Sequence, residues 1–417
     1  MAKRIGIESP LPRFDLPYLP SDVILLILSW LPTKSVVRFK SVCKGWQAML
    51  SDQEFIDAHL ECSKRRPSLL MVPCAYDPSD IQRNEEDSAF HIGFFRYRMD
   101  HAEELIHLQE LPQGIALWSS PLHCNGLILL STMREELMIC NPATREFVVL
   151  PERKRWVYTF PRAGFGFDPC SKKYKVARFF YQTLATGCGL TCKFEVLTLG
   201  TNVWRQTVDP PYWVRGQTPV HVNGSIYWTC AGQPDRPGPP NMFLRFSLTD
   251  EKFSLIPYPP SDFKPARFVE LQSELCCVCL GFRKLELEIW TLSSVPDQNP
   301  EWNRRWHTMI SPDLIIELPE GRAVRPPRVV LHERMWLLTE EQNVYRYDTQ
   351  TSDIEKISSG VQKTRYNDHA LHKQVVLHLT NYAESLVQIR YLWQLARYLI
   401  FFLSTKDIVY TSPLDRW

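Results

Sequence analysis

The sequence predicts a small all-α module followed by an all-β domain built as an irregular six-bladed β-propeller. Three observations predict this. Residues 19–50 carry apolar side chains at helical spacing. From about residue 68 the pattern changes to short strands separated by turn residues. Turn-then-strand units then recur roughly every 50 residues, the period of an architecture that stacks four-stranded sheets in a ring.

Taking the helices in order, Pro20 suits a helix start and Ser21 an N-cap. Every residue from 23 to 28 is apolar, and a helix apolar all round is covered on more than one side. Leu31-Pro32 stops it, because proline disfavours helix at the preceding residue. Thr33 caps a second helix with Val36, Val37 and Phe39. Val42, Cys43 and Trp46 fall on one face of a third. Ser51 and Glu54 make a capping box for a fourth, which holds Phe55, Ile56 and Leu60. Helices of about ten residues do not persist alone in water, and a unit of roughly 45 residues is marginal by itself. The module has more apolar surface than it can bury, so it either packs on the rest of the chain or docks a partner.

In the larger domain, Asn125-Gly126 is a hairpin-type turn followed by an apolar strand, and Asn223-Gly224 repeats it 98 residues later. Asp168-Pro169 lies near the midpoint, and units at Ser273, His332 and His372 continue the series. A second signature, strand–polar turn–strand, recurs at 139–147, 246–253 and 347–354. One four-stranded blade cannot bury both of its faces; stacking in a ring does so and leaves only short edges. Six blades fit the spacing best. Five, seven or a packed pair of sheets stay open.

Composition narrows the function. Charged residues are 23% and the net charge is +2, which does not mark a nucleic-acid binder. Aromatics at 12%, with 13 Trp and 32 Pro, suit many short strands separated by turns. The 12 cysteines raise the question of secretion, but the first residues lack an apolar signal segment, so the thiols are expected to be reduced and buried. The apolar run 391–403 is too short to span a bilayer, and Arg397 interrupts it, so a helix packed on the domain is expected.

The order Leu19-Pro20-x-x-Val23-x-x-x-Ile27-Leu28-x-x-Leu31-Pro32, then Ser35-Val36-Val37-Arg38-Phe39-Lys40, then Ser41-Val42-Cys43-Lys44-x-Trp46, resembles the F-box over residues 16–56. The resemblance implies docking on the Skp-type adaptor of cullin–RING ubiquitin ligases. Carried over position by position, the adaptor-facing residues would be Leu19, Pro20, Val23, Ile27, Leu31, Pro32, Val36, Val42, Cys43 and Trp46, with Val23, Ile27 and Val37 equally suited to the internal core. Cys124-Asn125-Gly126-Leu127, Asn141-Pro142-Ala143-Thr144-Arg145, Gly164-Phe165-Gly166-Phe167-Asp168, Asn202-Val203-Trp204-Arg205, Asn223-Gly224-Ser225-Ile226-Tyr227-Trp228 and the closing Tyr382-Ala383-Glu384-Ser385-Leu386 resemble the plant F-box-associated domain, a degenerate relative of the kelch propeller. Kelch-type Gly-Gly doublets are missing. The implied organisation is a flexible segment 1–15, an adaptor-binding domain 16–62, a client-binding propeller 68–390 and an extension 391–417.

Candidates for chemistry read as structural. Cys276, Cys277 and Cys279 alternate along an apolar strand with no second pair at zinc spacing. Gly164-Phe165-Gly166 lacks the third glycine and the helix of a dinucleotide site, and no P-loop, His-Glu-x-x-His or Gly-x-Ser-x-Gly motif occurs. Basic runs at 153–155, 304–305 and 322–328 suit solvated loops or an acidic or phosphorylated client segment. Arg153, Arg155, Arg325 and Arg328 are the client-binding candidates there. Tyr212 and Trp213 in a Pro-rich loop are candidate anchors, or packing groups against the neighbouring blade. The sequence therefore predicts a non-catalytic substrate receptor of a Skp–cullin–F-box ligase, nuclear or cytoplasmic. It would need no metal or cofactor, and would bind the adaptor, through it cullin and RING subunits, and an unidentified client, with no nucleic acid or membrane partner. The alternatives are a small-molecule or glycan-binding propeller with an F-box appendage, and an adaptor-bound scaffold outside the ligase.

Overall fold

The computed structural model describes residues 19–76, 89–98, 101–112, 115, 120–132, 136–151, 162–183, 190–201, 203–214, 219–231, 238, 241–281, 286–293, 301–309, 328–331, 335–338, 344–348, 351, 353–357, 374–389, 400–403 and 408–409. Four short helices come first among these: α1, Ser21–Ser29; α2, Thr33–Phe39; α3, Lys44–Met49; and α4, Gln53–Lys64. Their starts differ slightly from expectation. Pro20 and Pro32, both with ψ near 145°, occupy the N-cap positions of α1 and α2, and neither Ser21 nor Thr33 caps with its side chain. The cap of α4 is Asp52, whose carboxylate accepts from the Glu54 amide at 2.8 Å, so the Ser51–Glu54 box does not form. The Cys43 sulfur caps α3, accepting from the Trp46 amide at 3.4 Å.

Leu28, Val36, Leu50, Phe55 and Ile56 form the core between the helices, and Leu386, from the far end of the chain, completes it.

The described strands form six hydrogen-bonded, antiparallel sheets of a β-propeller. Sheet I runs in the order Gln374–Tyr382, Ser68–Tyr76, Ala89–Arg98, His101–Pro112. Sheet II is Leu122–Cys124, Leu127–Ser131, Leu137–Asn141 and Glu146–Val149, extended by Ile400–Leu403 and Ile408–Val409. Sheet III is Arg162–Asp168, Lys173–Thr183, Leu190–Thr198 and Arg205–Gln206. In sheet IV, Val220–Val222 and Trp213–Val214 both pair with Ser225–Ala231, and Met242–Ser247 and Phe253–Pro257 follow. Sheet V is Lys264–Leu271, Glu274–Gly281, Glu286–Ser293 and Glu301–Met309. Sheet VI is Arg328–Leu331, Met335–Leu338, Val344–Tyr347 and Ile354–Ile357.

Strand alternation sends successive side chains to opposite faces, and each face meets a neighbouring sheet. In Ser68–Tyr76, Leu70, Val72 and Cys74 pack with Ile128, Leu130 and Met138 of sheet II. Leu69 and Met71, which alternate with them, pack with Val344 of sheet VI. Equivalent cores join sheets II and III, III and IV, IV and V, and V and VI. The unit expected at His372 is not a new beginning. Its strand, Gln374–Tyr382, pairs along the whole of Ser68–Tyr76, so the chain's last propeller strand is hydrogen-bonded to its first. Of the extension, expected to be helical, residues 391–399 lie outside the described residues, and beyond them Ile400, Phe401 and Phe402 form a strand that pairs with Val148, Phe147 and Glu146. A run of β-branched and aromatic residues suits the open outer edge of sheet II better than a helix.

Tight turns join first to second strands. Asn125-Gly126 and Asn223-Gly224 have positive φ at both residues, as a type I′ turn requires, and Gln272-Ser273 does the same without glycine. Antiparallel alternation puts these turns, and those between third and fourth strands, at one end of the propeller. The loops between second and third strands and the links between sheets leave from the other end. The helices cover the tight-turn end, over sheets I and II.

Candidate protein-docking surface

The helices present one apolar face to the core and another to solvent. On α1, Ile24, Leu25 and Leu28 face inward. Val23, Leu26, Ile27 and Trp30 are exposed, Leu26 by 61% and Ile27 by 50%. These four positions follow the i, i+3, i+4, i+7 rule for one helical face. Leu19, Val37 and Val42 extend the apolar surface, with Val42 61% exposed. The Arg66 guanidinium lies 4.5 Å above the Trp30 ring and donates to the Trp30 carbonyl at 2.8 Å, which anchors one edge of the patch.

Most of the residues expected at this surface are there. Leu19, Pro20, Val23, Ile27, Pro32, Val42 and Cys43 are exposed, and Leu31 is half-buried. Trp46 is also half-buried, its ring edge-on to Phe39 with centroids 5.6 Å apart. Val36 is the exception: it is fully buried in the helical core and holds α2 against Leu386 rather than facing outward. The choice left open for Val23, Ile27 and Val37 resolves to exposure for all three. Leu26 and Trp30 belong to the same face and were not singled out from the sequence; their spacing relative to Val23 carried the signal.

The client candidates divide differently. Arg153, Arg155 and Arg325 lie outside the described residues, and Arg328 opens the first strand of sheet VI. Trp213 packs on sheet III: its ring meets Tyr181 at 5.0 Å, and the Tyr181 hydroxyl donates to the Val214 carbonyl at 3.0 Å. Tyr212 beside it is half-buried. Arg304 and Arg305 are not in a loop. They sit within the outer strand of sheet V and pair with Glu288 at 3.2 Å and Glu274 at 3.1 Å.

Cys276, Cys277 and Cys279 are buried in the cores on either side of Glu274–Gly281. Burial pushes the Cys276 thiol up to about 11 and that of Cys124, beside His221, up to about 12. Thiols held protonated are poor nucleophiles. Among the described residues, no group of three His, Cys, Asp or Glu side chains is placed to hold a metal ion. No helix there is long and apolar enough to cross a membrane.

Polar groups are enclosed near the tight-turn end. Burial lowers His123 and His221 to about 4. Neutral His123 accepts through Nε2 from the Gly126 amide at 2.9 Å and the Ala383 amide at 3.3 Å. Burial opposes ionisation of Asp168, but hydrogen bonds from Ser171, Lys175, Thr249 and the Cys170 amide hold it well below the usual carboxylate range. Lys175 also bonds the Leu248 carbonyl and Glu251, tying sheet III to sheet IV.

Residues 97–382 match the model of the F-box associated beta propeller domain, and residues 16–57 match the F-box domain. F-box protein At3g07870 of Arabidopsis thaliana is 27% identical over 304 residues, which cover 66% of this chain and 69% of that protein. F-box protein At1g53790 of the same plant is 29% identical, with 57% and 53% covered, and F-box protein At5g18160 is 28% identical, with 72% and 73% covered. The match to At1g53790 thus spans about half of that protein's length. Among solved structures, an oligogalacturonate lyase in complex with manganese aligns over 69% of this chain and 78% of its own at 11% identity and a TM-score of 0.38, a likeness that carries no argument about function.

Proposed function

Because this chain belongs to the F-box-associated β-propeller family, we propose that it is the substrate-recognition subunit of a Skp–cullin–F-box ubiquitin ligase. The observation that carries the reading is the exposed apolar stripe on α1, continued by Val37 and Val42. A contiguous apolar surface of this kind marks a protein contact. The Skp-type adaptor would cover it and bring cullin and RING subunits with it. The propeller would hold the client, with Arg153, Arg155, Arg325 and Arg328 as candidate phosphate- or carboxylate-reading groups and Tyr212 as a candidate anchor. We read the six sheets as six blades of one ring; supporting this, their first strands neighbour one another in cyclic order.

The subunit supplies no reacting group. It raises the effective concentration of a client lysine near a charged ubiquitin-conjugating enzyme. It works without metal or cofactor, in the nucleus or cytoplasm. Co-purification with a Skp-type adaptor tests the reading, with a Leu19→Ala/Pro20→Ala variant as control. Retention by the wild type and loss by the variant is the expected result. Absence of retention by a folded wild type would overturn it.

A further inference from the structure

After its closing strand the chain does not leave the propeller. It passes beneath the helices, and every residue from 383 to 389 is buried or half-buried. The Glu384 carboxylate accepts from the Thr33 amide at 2.7 Å, at the start of α2, where no local side chain caps the helix. Glu384 also pairs with Arg96 of sheet I. Leu386, 1% exposed, completes the helical core. Val387 touches both that core and the core between sheets II and III, to which Ile389 belongs.

Sheet II grips the same segment through its backbone. The Asn141 side-chain amide donates to the Ser385 carbonyl at 3.1 Å and to that of Val387 at 2.7 Å. The Ile389 amide donates to the Glu146 carboxylate at 2.6 Å. Gly126 lies so close that a Cβ there would fall 2.2 Å from that of Ser385. One end of this segment is thus locked into the propeller, and its middle is built into the helices.

We propose that residues 383–389 are a positioning strap that fixes the orientation of the helical module on the propeller. Resting on the reading of α1–α3 as the adaptor surface, the strap would set the distance between a client held at the far end and the enzyme carrying ubiquitin. Glu384 and Leu386 are its positioning residues. A chain joined only through Arg65, Arg66 and Pro67 would have no such constraint, since a short linker alone leaves domain orientation free.

The test measures distances between two labels in the full chain, alone and with a Skp-type adaptor. The labels sit on noncanonical residues replacing exposed Ala58 and Val203, because Cys43 and Cys170 are exposed thiols. The wild type should give one narrow distribution in both states. Glu384→Ala/Leu386→Ser should broaden it, while amide-exchange protection of the sheets persists. Leu386→Met, which keeps the volume, should restore the narrow distribution. A broad wild-type distribution would overturn the strap, as would a double variant as narrow as the wild type. Adaptor retention by the same samples separates the two ideas. A narrow distribution in a wild type that fails to hold the adaptor supports the strap and removes the docking reading.

Discussion

The two ends of the propeller are built on opposite principles. At the end beneath the helices, first and second strands are joined by turns of two to four residues, and several of these turns pack on or hydrogen-bond to neighbours. Asn125-Gly126 docks on Ser385, Asn223 donates to the Ser273 carbonyl at 2.9 Å, and Gly224 abuts Pro169. At the other end the connections are longer, carry Pro and Arg, and differ in length from sheet to sheet. An end whose turns are load-sharing parts of the fold cannot vary freely. Loops that vary in length are where recognition residues concentrate in proteins generally. The comparison puts tight packing at the helix side, while the client contact is proposed for the loops, and it can be broken by substitutions in each region.

At the helix side, Leu386→Ala should open a cavity in the helical core and cost about 2–5 kcal/mol in chemical unfolding. A cost below about 1 kcal/mol would mean that the helices stand without the strap. Gly126→Ala should cost at least about 2 kcal/mol, since φ is +82° and the new methyl meets Ser385. Unchanged unfolding would show that this turn carries no more of the fold than a loop does.

The half-buried His123 and His221 extend the contrast to pH. Unfolded histidine takes up its proton near pH 6.5, whereas His123 and His221 resist protonation down to about 4. Stability is therefore full above pH 6.5 and falls as pH drops through that value, losing on the order of 2 kcal/mol per histidine by pH 5. Once pH passes below about 4 the folded histidines titrate too, and the loss levels off. NMR titration of the ring protons checks this: a midpoint near 6.5 for either histidine would contradict its burial. Among the proposed client-reading groups, Arg153→Ala, Arg155→Ala and Arg325→Ala should each change stability by no more than about 0.5 kcal/mol while weakening client retention. The reverse pattern would mean that these arginines are structural.

Much of the helical module was legible because its signals are local. The prolines at 20 and 32, the apolar run from 23 and the spacing of Val42 and Trp46 all act within a few residues. The role of Val36 was not legible, since it faces Leu386, 350 positions away in sequence. The Asn-Gly turns announced hairpin turns followed by apolar strands. The closing role of Gln374–Tyr382 depends on a partner at the other end of the domain, and the strands at 400–403 depend on an edge that only the folded sheet II presents. Arg304 and Arg305 read as a loop from charge alone, but their pairing with Glu288 and Glu274 exists only once the strands align. Each miss is a long-range contact overriding local pattern.

The central claim is that the exposed face of α1–α3 is a docking surface and not a fold element. Its most direct test is the affinity of the full chain for a Skp-type adaptor, compared between wild type and Ile27→Ser/Val42→Ser. Both residues are at least half exposed, so unfolding should be unaltered, while removing two apolar anchors should weaken binding about 100-fold or more. Equal affinity in the two proteins, with the fold intact in both, would contradict the account.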